Sequence, residues 1–341
     1  MAFLNSAANW LNTVLSPLDV AIVRQSRWEA LRRLSLPPES VPSPRLDPIA
    51  AAYLKSENPR LRELATQYSS GLPEALRPTR WTSDYINKNI DLLNFRSDNA
   101  YVFGDRNIEA TYALTAYYLE TMDSMHLLQI LEEDGMFGAR RFGFRDSVLV
   151  SRDLLDSIVE IYSLSAQIPG GLMNASILDI GAGYGRLAHR LTNALTGVAH
   201  VYCADAIPLS TFLCEFYLKY RNVERASAVP LPDLESTLRS SEISVAVNIH
   251  SFSECAWSAI DWWISLLHKY RVRRLLIVPN PGDHGGTRLL TQESDGSNRE
   301  YTSLLAARSY RLVKVLPKYG SNIIQHLGVT PTCHHYYELS D

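Results

Sequence analysis

Short apolar runs alternate with amphipathic patterns along the chain from about residue 170 onward. The apolar runs predict buried strands at 176–180, 199–204, 226–229, 243–249, 273–279, 311–317 and 334–339. Apolar positions three and four residues apart predict helices between them, at about 185–195, 208–220, 232–239, 254–269 and 299–309. Strands that alternate with helices imply right-handed crossovers and a mainly parallel, seven-stranded sheet covered on both faces. Only a loop is predicted between the last two strands, so we expect one of them to run antiparallel.

The first half of the chain carries mostly helical patterns. These predict helices at 5–15, 20–34, about 58–69, about 107–133 and 151–165, the last with Ser151 as its N-cap. The glycines and arginines of "FGARRFGFRDS" (137–147) favour a loop. We therefore predict a helical region over residues 1–165, which covers the mouth of a site or forms a dimer interface, and an α/β domain over residues 166–341.

Composition and charge narrow the class of protein. The 341 residues are 46% hydrophobic and 20% charged, with a formal net charge of −3, which is ordinary for a soluble globular protein and gives no general attraction to nucleic acid. Four scattered cysteines, with no CxxC pair, indicate reduced thiols in a cytoplasmic protein rather than a zinc site. We predict neither a signal peptide nor membrane insertion, because no basic leader and no membrane-length apolar run occurs.

A glycine-rich stretch, "SILDIGAGYGRLAHRL" (176–191), lies where the first strand of the α/β domain passes into a helix. Gly181 and Gly183 allow a tight turn and close approach of the backbone to a ligand, and Gly185 lets the helix pack closely. Asp205 ends the next strand, about 20 residues after the last glycine, where an acid can accept hydrogen bonds from ribose hydroxyls. The spacing G-x-G-x-G, preceded by Asp179, favours a nucleoside that carries an amino acid over a dinucleotide.

A second candidate group follows the strand at 243–249, in "NIHSFSEC". His250 lies at the strand end that faces the same crevice, where a histidine titrating near neutral pH can take a proton from an alcohol. The alternative is a histidine hydrogen-bonded in the core. Glu254 stands three residues after Ser251, as in a capping box, and we favour the cap over a role in orienting His250 or binding a metal.

The chain resembles the bacterial sugar O-methyltransferases, which use S-adenosylmethionine and have the Rossmann-like class I fold. The resemblance covers about residues 137–339 and rests on five segments in the same order: "SRDLLDSIVEIYSLS", "ILDIGAGYGRLAHRL", "DAIPLSTFLCEFYLKYR", "NIHSFSEC" and "LIVPN". It implies transfer of a methyl group to a sugar hydroxyl of a small saccharide or glycoside, with a mannoside as the narrower expectation. It also implies an α/β fold with an N-terminal helical extension.

The resemblance assigns residues to the two substrates. Asp179, Gly181, Gly183 and Asp205 map to the methyl-donor site, and His250 maps to the base. We also assign Gly185, Ala206 and Asn248 to the donor site. Glu254 is assigned to the catalytic residues, together with His250. The expected acceptor residues are Asp283, His284, Trp257 and Arg141, from loops and from a helix that could stack on or bond to a sugar.

Several alternatives stay open at this point. Some sugar O-methyltransferases use Mg²⁺, and Glu254 or Asp283 would suit that ion, but the sequence does not decide the metal. The acceptor could instead be a non-sugar natural product, or the chain could be a non-catalytic subunit that binds the donor. The sequence also leaves open whether the chain forms a homodimer.

Overall fold

The computed structural model describes residues 10–15, 22, 44–97, 108–144, 148–168 and 170–340. Residues 10–15 are helical, as predicted for 5–15. The rest of that predicted helix and all but one residue of the one at 20–34 lie outside the described residues.

A seven-stranded sheet organises the α/β domain, and a separate two-stranded hairpin precedes it. The hairpin strands are β1 (Phe142–Phe144) and β2 (Val148–Val150). The sheet strands are β3 (Ser176–Ile180), β4 (His200–Ala204), β5 (Ala226–Val229), β6 (Val245–Ile249), β7 (Arg274–Val278), β8 (Tyr310–Pro317) and β9 (Cys333–Leu339). Their order is β5-β4-β3-β6-β7-β9-β8, with β9 antiparallel to both neighbours and all other pairs parallel. This confirms the predicted α/β fold and its mainly parallel seven-stranded sheet.

Helices cover both faces of the sheet. They are α1 (Pro48–Tyr53), α2 (Pro59–Gly71), α3 (Ser83–Asn89), α4 (Ile108–Glu120), α5 (Leu127–Ile130), α6 (Arg152–Gln167), α7 (Arg186–Ala194), α8 (Pro208–Tyr220), α9 (Leu234–Ser240), α10 (Trp257–Lys269), α11 (Thr302–Ala307) and α12 (Asn322–Leu327). Successive strand residues point to opposite faces, so Leu178 belongs to the core that includes α10, whereas Ile177 belongs to the core that includes α6. Burial on both faces explains why the strands are apolar without alternation.

The predicted long helix at 107–133 is wrong in its second half. Helix α4 ends at Glu120, and a separate short helix, α5, begins at Leu127. The carboxylate of Asp123 accepts hydrogen bonds from the backbone N–H groups of Leu127 and Leu128, at 2.7 and 2.8 Å. An aspartate that satisfies the first donors of a new helix competes with continuation of the old one, and the chain breaks there.

Two loop predictions are also corrected. The segment 137–147 contains strand β1, which pairs with β2. The connection between β8 and β9 contains helix α12. The helix predicted at 151–165 forms as α6, and Ser151 caps it, since its hydroxyl accepts the Leu154 N–H at 3.2 Å.

The N-terminal helices pack directly on the α/β domain. Arg60 of α2 forms a two-point ion pair with Glu215 of α8, with N–O distances of 2.6 and 2.9 Å. The predicted boundary between residues 165 and 166 falls in the last turn of α6, which packs beside α7. Within the described ranges, no helix combines the length and apolar character that a membrane span requires.

Candidate functional site

The glycine loop joins β3 to α7 and lies against the loop that follows β6. The N–H groups of Gly181 and Ala182 both donate to the carbonyl of Ala204, at 2.8 and 3.3 Å, which folds the loop back over the end of β4. Gly181 has φ +71°, and a Cβ at this position would overlap the Ser251 side chain. A side chain is therefore excluded at Gly181 both by backbone conformation and by space.

Gly185 serves the packing of helix α7 rather than the cavity itself. It precedes α7 with φ +85°, and an added Cβ would lie 2.9 Å from the Sγ atom of Cys214 on α8. The structure thus places this predicted donor residue behind the loop, where it allows α7 and α8 to approach closely.

The carboxylate of Asp205 is held open toward the cavity by two backbone donors. Its Oδ2 accepts the Gly183 N–H at 3.0 Å, and its Oδ1 accepts the Ile207 N–H at 2.9 Å. Burial raises its pKa to about 6, although both backbone hydrogen bonds act in the opposite direction. The Ser210 side chain also hydrogen-bonds to this carboxylate. A carboxylate has about four acceptor sites, so a site remains for a hydroxyl of a ligand.

Asp179 is the penultimate residue of β3 and is 3% exposed, at the cavity wall beside the glycine loop. Burial raises its pKa to about 7; the nearby Arg186 opposes the shift, and Glu160 and Asp205 add to it. A buried carboxyl with a raised pKa favours a ligand that brings positive charge, because the cation stabilises the ionised form.

Asn248 ties the ends of two central strands together. Its side-chain amide donates to the Ile180 carbonyl at 2.9 Å, and its side-chain oxygen accepts the Phe252 N–H at 3.0 Å. The residue is fully buried and lies behind the cavity wall. The structure therefore gives this predicted donor residue a supporting position, as for Gly185.

His250 follows β6 and lines the same cavity as the glycine loop and Asp205. Its backbone has φ 66°, and its N–H donates to the Val278 carbonyl at 2.7 Å. The Nδ1 atom is buried with no hydrogen-bond partner among the described residues. Burial lowers the pKa of the ring to about 3, and the cations Lys318, Arg152 and Arg186 also lower it, against Asp156. The imidazole is therefore neutral at pH 7 and able to accept a proton. The expectation that His250 titrates near neutral pH is wrong, because burial disfavours the charged ring.

The predicted capping role of Glu254 is wrong. The residue ends a short 3-10 turn (Ser251–Glu254), and α10 begins only at Trp257. The carboxylate instead accepts the indole N–H of Trp81 at 2.6 Å and lies 3.3 Å from Arg80. Burial raises the pKa of Glu254, against these two partners. It lines the cavity, so its carboxylate is available to the site rather than to the helix.

These residues meet in one cavity of about 630 Å³ at the carboxyl ends of β3, β4 and β6. Such crevices are where open parallel sheets bind ligands. The sequence predicted Asp179, Gly181, Gly183, Asp205, Ala206, His250 and Glu254, all of which line it. It missed Trp81, Arg80, Arg152, Asp156 and Thr330, which come from the N-terminal region, from α6 and from the turn before β9.

The four predicted acceptor residues do not line this cavity. Asp283 and His284 form a separate 3-10 turn (Gly282–His284), where His284 accepts the Arg288 N–H at 3.3 Å. Trp257 lies under the guanidinium of Arg299, 4.0 Å from the ring centre. Arg141 lies over Gly135. Asn280 and Pro281, the two residues directly before that turn, do line the cavity.

Among the described residues, no group of three or more His, Cys, Asp and Glu side chains is placed to hold a metal ion. Glu254 and Asp283, which the sequence offered for Mg²⁺, do not share a site.

Comparisons with known proteins bear on the fold. Neither a scan against protein-family models nor a search of curated proteins gives a match. Several of the solved structures that are similar to this chain are methyltransferases. The strand order and the glycine loop after β3 are features of the chain itself. They make its fold an α/β, Rossmann-like one.

Three similar structures show the range. Mitomycin 7-O-methyltransferase MmcR is 17% identical with a TM-score of 0.39, and the match covers 54% of this chain and 52% of that one, about half its length. Magnesium protoporphyrin IX methyltransferase from Synechocystis PCC 6803, with bound S-adenosylmethionine, is 14% identical (TM-score 0.39; 55% and 83% covered). The N1-methyltransferase of 1,6-didemethyltoxoflavin from Burkholderia thailandensis is 16% identical (TM-score 0.38; 67% and 86% covered). At these values the similarities say nothing about the substrate of this chain.

Proposed function

We propose that this chain is an S-adenosylmethionine-dependent methyltransferase that methylates a hydroxyl group. The observation that carries the proposal is the position of His250 in the same cavity as the glycine loop and Asp205. This histidine is neutral, and its Nδ1 has no hydrogen-bond partner among the residues that the structure describes. A donor cradle and a proton acceptor at one crevice are the two parts that O-methylation requires.

The chain's own residues divide the work. Asp205, fixed by the Gly183 and Ile207 N–H groups, accepts hydrogen bonds from the ribose hydroxyls. Asp179 faces the positive charge of the amino-acid part, and the turn at Gly181 and Gly183 forms the cavity wall beside it. When bound, S-adenosylmethionine supplies an electrophilic methyl group on a sulfonium.

The acceptor oxygen forms the new C–O bond while the methyl–sulfur bond breaks and its electron pair stays on the sulfur. The hydroxyl proton goes to His250, which is neutral because burial holds its pKa near 3. Such a weak base suffices, because the sulfonium is already a reactive donor and positioning supplies most of the rate.

For the acceptor we propose a sugar hydroxyl of a small saccharide or glycoside. The sequence resemblance supports this choice. The rings of Trp81 and Trp263 on the cavity wall add support, since they offer flat apolar faces, while Glu254, Asp156 and Arg152 offer hydrogen-bonding groups to hydroxyls.

The test is release of S-adenosylhomocysteine against a panel of mannosides, other hexosides and small phenols, each with Mg²⁺ and again with EDTA. We expect turnover on one class of sugar. Turnover on phenols alone would replace the sugar by another natural product, and the EDTA arm decides metal dependence. Absence of turnover on every acceptor, with the donor bound, would favour a non-catalytic subunit and contradict the proposal.

A further inference from the structure

Five arginines line the cavity, and four of them present an Nη nitrogen to a carboxylate: Arg77 to Glu74 (3.4 Å), Arg80 to Glu254 (3.3 Å), Arg96 to Glu133 (2.8 Å) and Arg186 to Glu160 (2.7 Å). Arg152 differs from these. It uses Nε, which donates to the Thr330 hydroxyl at 3.1 Å and lies 3.4 Å from Asp156 Oδ2. In the described part of the chain, its two Nη nitrogens have no hydrogen-bond partner.

The carboxylate beside Arg152 is shared with a second cation. Lys318, whose side chain is 1% exposed, lies 2.5 Å from Asp156 Oδ1 and also donates to the carbonyls of Val329 (3.0 Å) and Thr330 (3.2 Å). Among the described residues, Asp156 is within ion-pair distance of both cations, and Glu160 also acts on Lys318 electrostatically. Arg152, Lys318 and Arg186 thus face the two carboxylates Asp156 and Glu160, and this corner keeps an excess of one positive charge while Asp179 holds its proton.

The neighbouring carboxylates are committed elsewhere. Glu160 binds Arg186 through both oxygens, at 2.7 and 3.0 Å. Asp153 binds Arg96 at 2.9 Å. Asp179 interacts electrostatically with Arg186. An excess cation that is mostly removed from water is stabilised by an anion that enters from the cavity.

We propose that Arg152 is the oxyanion-binding residue of this cavity and takes a carboxylate or phosphate of the bound ligand between its two Nη groups. The planar fork matches either group in a two-point hydrogen bond. Asp156 and Thr330 hold the fork in place, and Lys318 holds Asp156. The inference rests on the proposed function, because the anion belongs either to the amino-acid part of the methyl donor or to the sugar acceptor.

Two pairs of ligands distinguish these sources. S-adenosylhomocysteine and S-adenosyl-3-thiopropylamine differ only in the donor carboxylate. The second pair sets an anionic sugar, glucose 6-phosphate or methyl glucuronide, against neutral methyl glucoside. Each sugar is measured with and without S-adenosylhomocysteine. Binding is measured by calorimetry for the wild-type chain, for Arg152→Met and for Arg152→Lys, which keeps the charge but loses the fork.

We expect the wild-type chain to prefer the anionic member of one pair by about ten-fold or more, and Arg152→Met to abolish that preference. If Arg152→Met loses the preference in the first pair, the anion belongs to the donor. If it loses the preference in the second pair, the anion belongs to the acceptor. Arg152→Lys keeps part of the preference.

The control is Arg311→Met, on the edge strand β8, where the side chain is 68% exposed; it leaves both preferences unchanged. The proposal is overturned if the wild-type chain shows no preference in either pair, or if a folded Arg152→Met chain keeps it. If the wild-type chain binds no S-adenosylhomocysteine at all, the proposed function fails, while the sugar pair without that ligand still tests Arg152.

Discussion

The hydroxyl of Tyr68, on helix α2, donates to the backbone carbonyl of Asp205 at 3.0 Å and lies 2.7 Å from the Thr211 hydroxyl. It also accepts the Leu231 N–H at 3.0 Å. One side chain from the N-terminal region thus joins the loops after β4 and β5. The helical extension is therefore part of the structure that positions Asp205, although Tyr68 itself does not line the cavity.

Tyr68→Phe removes this hydroxyl and leaves the buried Leu231 N–H without its partner. We expect a loss of about 1–3 kcal/mol in the free energy of unfolding. We also expect weaker binding of S-adenosylhomocysteine, because Asp205 loses its support. Urea denaturation and calorimetry measure the two effects. The control is Tyr85→Phe, which changes a half-buried tyrosine on α3. Equal free energies of unfolding and equal affinities for S-adenosylhomocysteine in the two variants would refute the role of Tyr68.

Gly185→Ala tests the close approach of α7 to α8. The residue has φ +85°, and its new Cβ would lie 2.9 Å from Cys214 Sγ, so both strain and overlap oppose the change. We expect a loss of about 1–3 kcal/mol in the free energy of unfolding. The matched control is Gly143→Ala, where nothing lies within 4 Å of the added atom. Similar denaturation midpoints for the two variants would contradict the packing argument.

Asp179 makes the stability and the donor affinity depend on pH. Its folded pKa is about 7, against a usual value of 3.8. Between these values the folded chain binds a proton that the unfolded chain has lost, so the free energy of unfolding falls as pH rises from about 4 to 7. A cationic donor favours the ionised form, so binding releases protons near pH 6 to 7 and strengthens as pH rises.

Calorimetry of S-adenosylmethionine binding in buffers of different ionisation enthalpy measures this proton release. Asp179→Asn should abolish most of it, together with the fall in stability over the same pH range. Binding that releases no protons at pH 6.5 in the wild-type chain would exclude a charged donor group at Asp179.

His250→Ala should lower kcat by about 10²- to 10⁴-fold, the usual contribution of a positioned general base, with little change in donor affinity. Because burial holds the pKa of His250 near 3, kcat of the wild-type chain should show no rising limb near pH 6.5. The control is His326→Ala, an exposed histidine on α12. A rise of kcat near pH 6.5 that is absent in His250→Ala would show that the ring titrates as an exposed histidine.

The sequence predicts the sheet closely and the cavity wall only in part. All seven strands begin and end within two residues of their predicted bounds. For the central strands β3, β6 and β7 the reason is that each is a buried apolar run. The residues that follow these strands, such as Asp205 and His250, could be identified because parallel strands end at a common edge.

The remaining wall residues depend on contacts between distant parts of the chain. Trp81 meets Glu254 and Arg152 meets Thr330 across more than a hundred residues, and helical periodicity carries no information about such pairs. The capping-box pattern at Glu254 gave a wrong prediction for the same reason. The pattern forms a cap only where a helix begins, and this helix begins at Trp257. The carboxylate accepts the indole N–H of Trp81 instead.

Equilibrium titration of wild-type and Asp205→Asn chains with S-adenosylmethionine shows whether the cavity at Asp205 binds this donor. Asparagine keeps the size of the side chain but turns one acceptor toward the Gly183 and Ile207 N–H groups into a donor. We expect saturable one-to-one binding to the wild-type chain and an affinity at least about ten-fold weaker in the variant. Failure of the wild-type chain to bind, or equal affinity in both chains, would contradict this expectation.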